Sequence, residues 1–258
     1  MAIHPTAWVE PGAEIHASCE VGPFAVVGPQ VRMGPGNTVG AHAVLDGDTT
    51  LGEGNRVFPH ACLGQIPQDL KYGGEKTKLV IGYRNQFREF VTVHIGTAGG
   101  GGVTRIGNGC LFMANSHVAH DCQVGDGCIL ANSVPLGGHV TLEDHVIMGG
   151  LSGAHQFTRV GRFVFAAACS AIVQDVAPYC MVQGDRAQVF GVNTTGLARN
   201  GFSEEQIARV KGAHRIVFRQ KLGLKEACEQ LRAQYGGFPE VDSLVSFLEG
   251  VGERGLVR

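Results

Sequence analysis

Val21-Gly22-Pro23-Phe24-Ala25-Val26-Val27-Gly28-Pro29-Gln30-Val31-Arg32-Met33-Gly34 repeats itself every six residues, an apolar side chain followed by glycine at 21, 27 and 33. The spacing runs outward without a miss, back through Ile15, Val9 and Ile3 and forward through Val39, Leu45, Leu51, Val57 and Leu63. A period of six fits neither the 3.6 of a helix nor two-residue alternation. It is the repeat of a parallel β-helix, in which each apolar residue points inward from a flat side and Gly or Asn turns the corner. Three hexads make one triangular coil of 18 residues.

The period breaks between Gln65 and Leu79, in the polar run Gln65-Ile66-Pro67-Gln68-Asp69-Leu70-Lys71-Tyr72-Gly73-Gly74-Glu75-Lys76. It resumes at Ile81, Phe87 and Val93, and a glycine cluster from Gly96 to Gly102 interrupts it again. Ejected loops near 64–80 and 96–103 are therefore expected, and long loops on a rigid body are where binding residues tend to sit. From Ile106 the hexads continue through Phe112, Val118, Val124, Leu130, Leu136, Leu142, Met148, Ala154, Val160 and Ala166 to Ile172. The full count of 26 hexads gives close to nine coils, a prism ~40 Å tall at ~4.8 Å between strands.

Beyond Pro178 the period dies. Ser203-Glu204-Glu205-Gln206 reads as a capping box for a helix to about Lys221, with a second helix over Lys225 to Tyr235 and a third after Pro239 to about Leu248. The expected organisation is a β-helix over 1–190 and a helical domain over 191–258 that caps the open end. The tail adds Arg209, Lys211, Arg215, Arg219, Lys221 and Lys225, either a solvated helix face or a docking patch for an acidic partner.

Composition agrees with this organisation. There are 39 glycines, and aromatics are only 7% of the 258 residues, which suits short strands and tight turns. A net charge of −2 provides no global basic field, so nonspecific nucleic-acid binding is disfavoured. No leader pattern opens the chain, and the longest apolar run, Phe163 to Val173, is too short to span a bilayer; a cytoplasmic protein is expected. The eight cysteines show no Cys-x-x-Cys pair. Cys19, Cys110, Cys122 and Cys128 share one slot of the repeat with Ala25, Ala43, Ser116 and Ser152, and read as small buried side chains rather than nucleophiles.

The chemistry concentrates in Asn115-Ser116-His117-Val118-Ala119-His120-Asp121-Cys122. Residues 18 apart stack on adjacent coils, so Gly138 is expected over His120, Gln156 over Gly138 and His139 over Asp121. Alone, His120 reads as a surface histidine at a turn; the cluster with His117, Asp121 and His139 points instead to a general base. A neutral imidazole suits that task and a neighbouring carboxylate orients it. Gly138, without a side chain, is able to present its backbone N–H to a developing oxyanion. His117 and His139 are then substrate contacts, or else structural.

These stretches, with Gln68-Asp69-Leu70-Lys71-Tyr72, Ala154-His155-Gln156-Phe157, Gln174-Asp175-Val176-Ala177-Pro178-Tyr179 and Phe190-Gly191-Val192-Asn193, resemble the acyl-carrier-protein:UDP-N-acetylglucosamine O-acyltransferases of lipid A synthesis over essentially the whole chain. The resemblance implies a left-handed β-helix, a homotrimer with sites between subunits, and no cofactor beyond the acyl carrier. It matches His120 to the base that deprotonates the glucosamine 3-hydroxyl, Asp121 to its neighbour and Gly138 to the oxyanion donor. It matches Asp69 and Lys71 to sugar-nucleotide and acyl-donor contacts, His117, His139, His155 and Gln156 to the cleft lining, and Asn193 and Arg199 to nucleotide contacts. Arg186 stands where a His is familiar, Thr195 where a Glu is, and Asn200 where a second Arg is common. Ala168 replaces the glycine of long-chain members at the floor of the acyl groove, which implies a shorter acyl chain.

Two rivals share the scaffold. In a gamma-class carbonic anhydrase, His117, His120 and His139 would hold zinc, but the long tail and the Gln68 to Tyr72 loop argue against it, and no metal is expected. A noncatalytic carbohydrate binder would lose little on His120→Ala. The acceptor position, 3-hydroxyl or 3-amino, stays open because one base serves either.

Overall fold

The computed structural model describes residues 2–258 and winds the hexads into a left-handed parallel β-helix. Among the described residues, three sheets of 11, 9 and 8 strands form the sides of a prism. The first side carries strands such as Leu111–Phe112 and Ile129–Leu130, the second His117–Val118 and Pro135–Leu136, the third Gln123–Val124 and Thr141–Leu142. Register follows the 18-residue step, with Val21 beside Val39, Val27 beside Leu45 and Val124 beside Leu142. The inward hexad positions make the core: Leu45, Leu63, Phe87, Phe112, Leu130, Leu136 and Met148 are fully buried. Each buried side chain of this size contributes ~1.5–3 kcal/mol relative to exposure, so every added coil stabilises the one beneath. Only Ile3, Val9 and Ile15, on the first coil, stay half-buried.

The corners need left-handed backbone, and most of it is supplied by residues other than glycine. One corner carries Asp121, His139 and Phe157 at φ 59°, 62° and 64°; a second carries Asn115, Ser133, Leu151 and Cys169; a third carries His145, Phe163 and Tyr179. Such residues cost ~1–2 kcal/mol each in this region, and stacking between coils offsets part of it. Phe24, His42, His60 and Phe90 form one continuous stack with centroids 5.0–5.1 Å apart. The small slot behind the corners is buried as expected: Cys19, Cys110, Cys122 and Cys128 are at most 1% exposed, and all eight cysteines are free. Burial pushes the Cys122 thiol up to about 12, which suits a packing residue and not a nucleophile.

Both interruptions of the period are loops expelled from an intact ladder. Cys62 pairs with Thr92 and Leu79 with Thr104, so the strands stay paired, with one register shift between Leu63 and Gln65, while the intervening residues leave the coil. An internal ladder spans the same level: Asn37, Asn55 and Asn85 are fully buried and bond one to the next.

After the last hexads, Cys180–Gln183 turns back on Gln188–Val192 in an antiparallel pair. Four helices follow: α1 (Thr194–Arg199), α2 (Glu204–Arg219), α3 (Leu224–Tyr235) and α4 (Pro239–Glu249). Ser203 and Gln206 close the capping box at the start of α2. The antiparallel pair and α1 carry neither hexad period nor a long amphipathic stripe, so neither is legible in the sequence. The tail grips the end of the prism through Arg159, which reaches the Gly250 carbonyl at 2.6 Å and lies 4.3 Å over the Phe247 ring.

Candidate active site

The corner between the second and third sides gathers the histidines. Strand His117–Val118 delivers the chain to Ala119 and His120; Asp121 then makes the turn in left-handed conformation, its N–H held by Thr104 Oγ1 at 2.8 Å. This conformation throws the Asp121 side chain inward, where it is fully buried. Its Oδ2 lies 2.8 Å from His120 Nδ1, and Thr97 donates to it from Oγ1 at 2.6 Å. The Thr97 N–H is shared between the two carboxylate oxygens at 3.0 and 3.1 Å. Burial alone would raise this carboxyl, but the bonds from Thr97 and His120, with the nearby His139, hold it below the usual carboxylate range. An ionised Asp121 accepting from Nδ1 fixes the His120 tautomer and leaves Nε2 with its lone pair outward.

Gly138 lies one coil above His120, where a Cβ would sit 2.6 Å from the imidazole Cε1 and 2.7 Å from Nε2. Among the described residues the Gly138 N–H donates to no protein acceptor, whereas its carbonyl takes the Phe157 N–H. At the corresponding turns of the next corner the N–H groups are occupied: Asn108 donates to Asp126 Oδ1 and Asp126 to Asp144 Oδ1. No carboxylate stands over Gly138, and its N–H is left without a protein acceptor beside the His120 ring.

His139 crosses His120 edge-on at 5.1 Å and stacks on Phe157 at 4.3 Å. Burial chiefly lowers its basicity, opposed by the Asp121 charge. His117 Nδ1 is 2.7 Å from Thr92 Oγ1, and burial with the proximity of His120 lowers it too. Behind it lies His94, 4% exposed, edge-on to His117 at 4.8 Å, with its basicity driven down to about 4 by burial and by His117 and His120; its Nδ1 has no partner. The surrounding histidines therefore stay neutral at working pH and add no charge against a proton arriving at His120.

Asp69 approaches from the first ejected loop; its charge acts on His139 and its Oδ1 accepts the Lys71 N–H. Lys71 itself is exposed, as are His155 and Gln156 one coil above Gly138. From there a shallow groove crosses the second side over Pro135, Gly153 and Ala171 to Leu151 and Cys169 on the neighbouring corner. Ala168, exposed, immediately precedes Cys169 and so sits at the far end of the groove from His120. The chain does not bring Asn193 and Arg199 to His120. Asn193 is 8% exposed at the third corner, donating to the Phe163 carbonyl and capping α1 at Gly196 N; Arg199 is exposed in the last turn of that helix.

His120, Asp121 and His139 each offer a ligand atom within 4.8 Å of the others, while His117 falls outside this group. Asp121 Oδ2 already receives Thr97 Oγ1, Thr97 N and His120 Nδ1. The donor set is that of a hydrogen-bonded carboxylate more than of a cation site. Thr97, Thr104, Thr92 and His94 are functional neighbours that the hexad pattern does not single out. For Thr97 the glycine cluster around it is the signal, because a Cβ on Gly96 or Gly100 would run into the Asp121 carboxylate.

Comparison with known proteins completes the description. Residues 175–257 match the family model described as UDP N-acetylglucosamine O-acyltransferase, domain 2, and residues 12–47 and 103–134 match the bacterial transferase hexapeptide model. A protein of Anaeromyxobacter dehalogenans named acyl-[acyl-carrier-protein]--UDP-N-acetylglucosamine O-acyltransferase is 62% identical over 258 residues, covering 100% of both chains. Its namesake from Myxococcus xanthus is 57% identical over 256 residues, covering 99% of each. The crystal structure of UDP-N-acetylglucosamine O-acyltransferase from Moraxella catarrhalis superposes with a TM-score of 0.97 at 40% identity over 100% of both chains.

Proposed function

The chain belongs to the acyl-[acyl-carrier-protein]--UDP-N-acetylglucosamine O-acyltransferase family, and from that premise we propose how its residues perform the transfer. The protein moves an acyl chain from acyl carrier protein to the glucosamine 3-position of UDP-N-acetylglucosamine, the first step of lipid A biosynthesis. His120 Nε2 takes the proton of the 3-hydroxyl as its oxygen attacks the thioester carbonyl. Asp121 Oδ2, 2.8 Å from Nδ1, stabilises the imidazolium that forms. The free Gly138 N–H faces the oxyanion of the tetrahedral intermediate. As that intermediate collapses, the proton on His120 leaves with the thiolate of the carrier.

One observation carries this reading: a carboxylate-bound imidazole and an unoccupied backbone donor meet at one corner, across the space a Cβ would fill. His117, His139, His155 and Gln156 line the surrounding cleft; Asp69 and Lys71 reach it from the ejected loop. Pro135, Gly153 and Ala171 form an apolar track for the acyl chain that runs out at Leu151 and Cys169, next to Ala168. The chemistry needs no resident cofactor or metal. Asn193, at the third corner, and Arg199, in the last turn of α1, lie away from His120 in this chain, which supports a homotrimer in which a neighbouring copy completes each site. No helix of the structure is long and apolar enough to cross a membrane, and with carrier-borne and nucleotide-borne substrates we assign the enzyme to the cytoplasm.

The test is a mass-resolved assay offering the 3-hydroxyl and 3-amino sugar nucleotides with a ladder of acyl carriers, run on wild type and His120→Ala. Transfer is expected with wild type and loss of ~10²–10⁴-fold in the variant; unchanged transfer by His120→Ala removes the base. Metal analysis of the active protein separates the hydro-lyase rival, which requires stoichiometric zinc.

A further inference from the structure

The second interruption of the hexads, residues 95–102, is built around one carboxylate. Gly96 and Gly100 pass so close to Asp121 that neither position has room for a Cβ, and Thr97 between them spends both its N–H and its hydroxyl on the two oxygens. Thr97 is 8% exposed. Nothing in Ile95-Gly96-Thr97-Ala98-Gly99-Gly100-Gly101-Gly102 carries charge, so hydrogen bonds alone support the anion from this side. The titratable groups facing Asp121 from elsewhere are His120 and His139; Asp69 acts on His139, and His117 and His94 stand behind His120.

We propose that Thr97 is the positioning residue of the His120–Asp121 pair, and that the glycine-rich loop exists to seat it. The proposal rests on the reading of His120 as general base. Thr97 touches no substrate and moves no proton. Its three contacts lock the carboxylate so that Oδ2 remains aimed at His120 Nδ1, and they oppose the burial that would otherwise favour the protonated acid. A carboxyl that has taken a proton or rotated away no longer holds the His120 tautomer, and Nε2 loses its lone pair to the wrong tautomer for part of the time. The loop is thus a support for the base, reached from a separate segment of the chain, and not a binding loop.

The experiment compares Thr97→Val, which keeps the shape and removes the hydroxyl, with Thr97→Ser, which keeps the hydroxyl, in the full-length protein. Two quantities are followed: steady-state kinetics, and the titration midpoint of the Asp121 carboxyl carbon by NMR. Thr97→Val is expected to lower kcat by at least ~10-fold, the loss typical of one hydrogen bond to a charged group. KM for the sugar nucleotide should stay within about twofold, since the residue contacts the Asp121 carboxylate and not the ligand. The Asp121 midpoint should move up, while Thr97→Ser stays near wild type in both. Wild-type kcat in Thr97→Val, or an unmoved Asp121 midpoint in a variant that melts like wild type, overturns the proposal. His120→Ala, run alongside, keeps the two readings apart: if it retains full activity the base assignment falls, and the carboxyl midpoint still decides whether Thr97 holds Asp121.

Discussion

His120 and Gly138 face each other across one coil step with no room for a methyl group between them, since a Cβ on Gly138 would stand 2.6 Å from the imidazole Cε1. The Gly138 N–H also has no protein acceptor among the described residues. The two facts place the same demand on position 138. Gly138→Ala is expected to displace the His120 ring and crowd the donor, lowering kcat by ~10²-fold or more. The change is confined to one corner of a long ladder, so the melting temperature should shift by only a few degrees. Near-wild-type turnover in Gly138→Ala would show that the ring and the amide do not act on one reacting centre.

The charge states around His120 predict a simple acid limb. His139 and His117 are lowered chiefly by burial and His94 is driven down to about 4, so across the ordinary imidazole range all three are less readily protonated than a free imidazole. Asp121, held below its usual range, stays ionised there as well. Protonation of His120 removes the lone pair that accepts the substrate proton, so kcat/KM should fall toward acid with a slope of one proton. A limb with a slope of two or more would mean that a second histidine titrates with it, contrary to the burial described.

The regular body of this protein is open to sequence reading because its core rule is one-dimensional: an apolar residue every six places fixes face, depth and, through the 18-residue coil, which residues stack. That rule puts Gly138 against His120 and His139 near Asp121 without any coordinates. It says nothing about what leaves the coil. Thr97 reaches Asp121 from 24 residues away through an expelled loop, and no periodicity links the two. Several left-handed corners are equally hidden, because Leu151, Phe157 and Cys169 are not residues whose type announces positive φ. Resemblance alone makes Asn193 a nucleotide contact; in one chain both ends of its side chain are engaged, capping α1 and holding the Phe163 carbonyl.

Inside the lower coils, Asn55 is the middle of a buried stack. Its Nδ2 donates to Asn37 Oδ1 and to the Gly82 carbonyl, both at 3.0 Å, and its Oδ1 accepts the N–H and Nδ2 of Asn85, also at 3.0 Å. Truncation leaves buried donors and acceptors on both neighbouring coils without partners, and each unsatisfied group costs ~1–3 kcal/mol. Asn55→Ala is expected to destabilise by ~3 kcal/mol, read as a lower urea midpoint with an unchanged slope, while kcat of the folded protein holds. A loss below ~1 kcal/mol would mean that water replaces the ladder bonds at no cost.

The acyl track gives the last prediction. It begins at Gly138 and Gln156, crosses the second side over Pro135, Gly153 and Ala171, and runs out at the corner of Leu151 and Cys169, which Ala168 enters. If the acyl chain follows this track past Cys169, the methyl group at 168 is the next side chain it meets, and its removal opens space for the tail of a longer chain. Burying one more methylene is worth ~0.8 kcal/mol, or about fourfold in kcat/KM. In a competition among acyl carriers with chains of graded length, Ala168→Gly should therefore shift the preference upward by about fourfold for each methylene newly admitted. Shorter chains should lose little, because their path never reaches position 168. A wild-type enzyme that already prefers the longest chains, with the same profile in Ala168→Gly, would show that the track ends elsewhere and that residue 168 does not measure it.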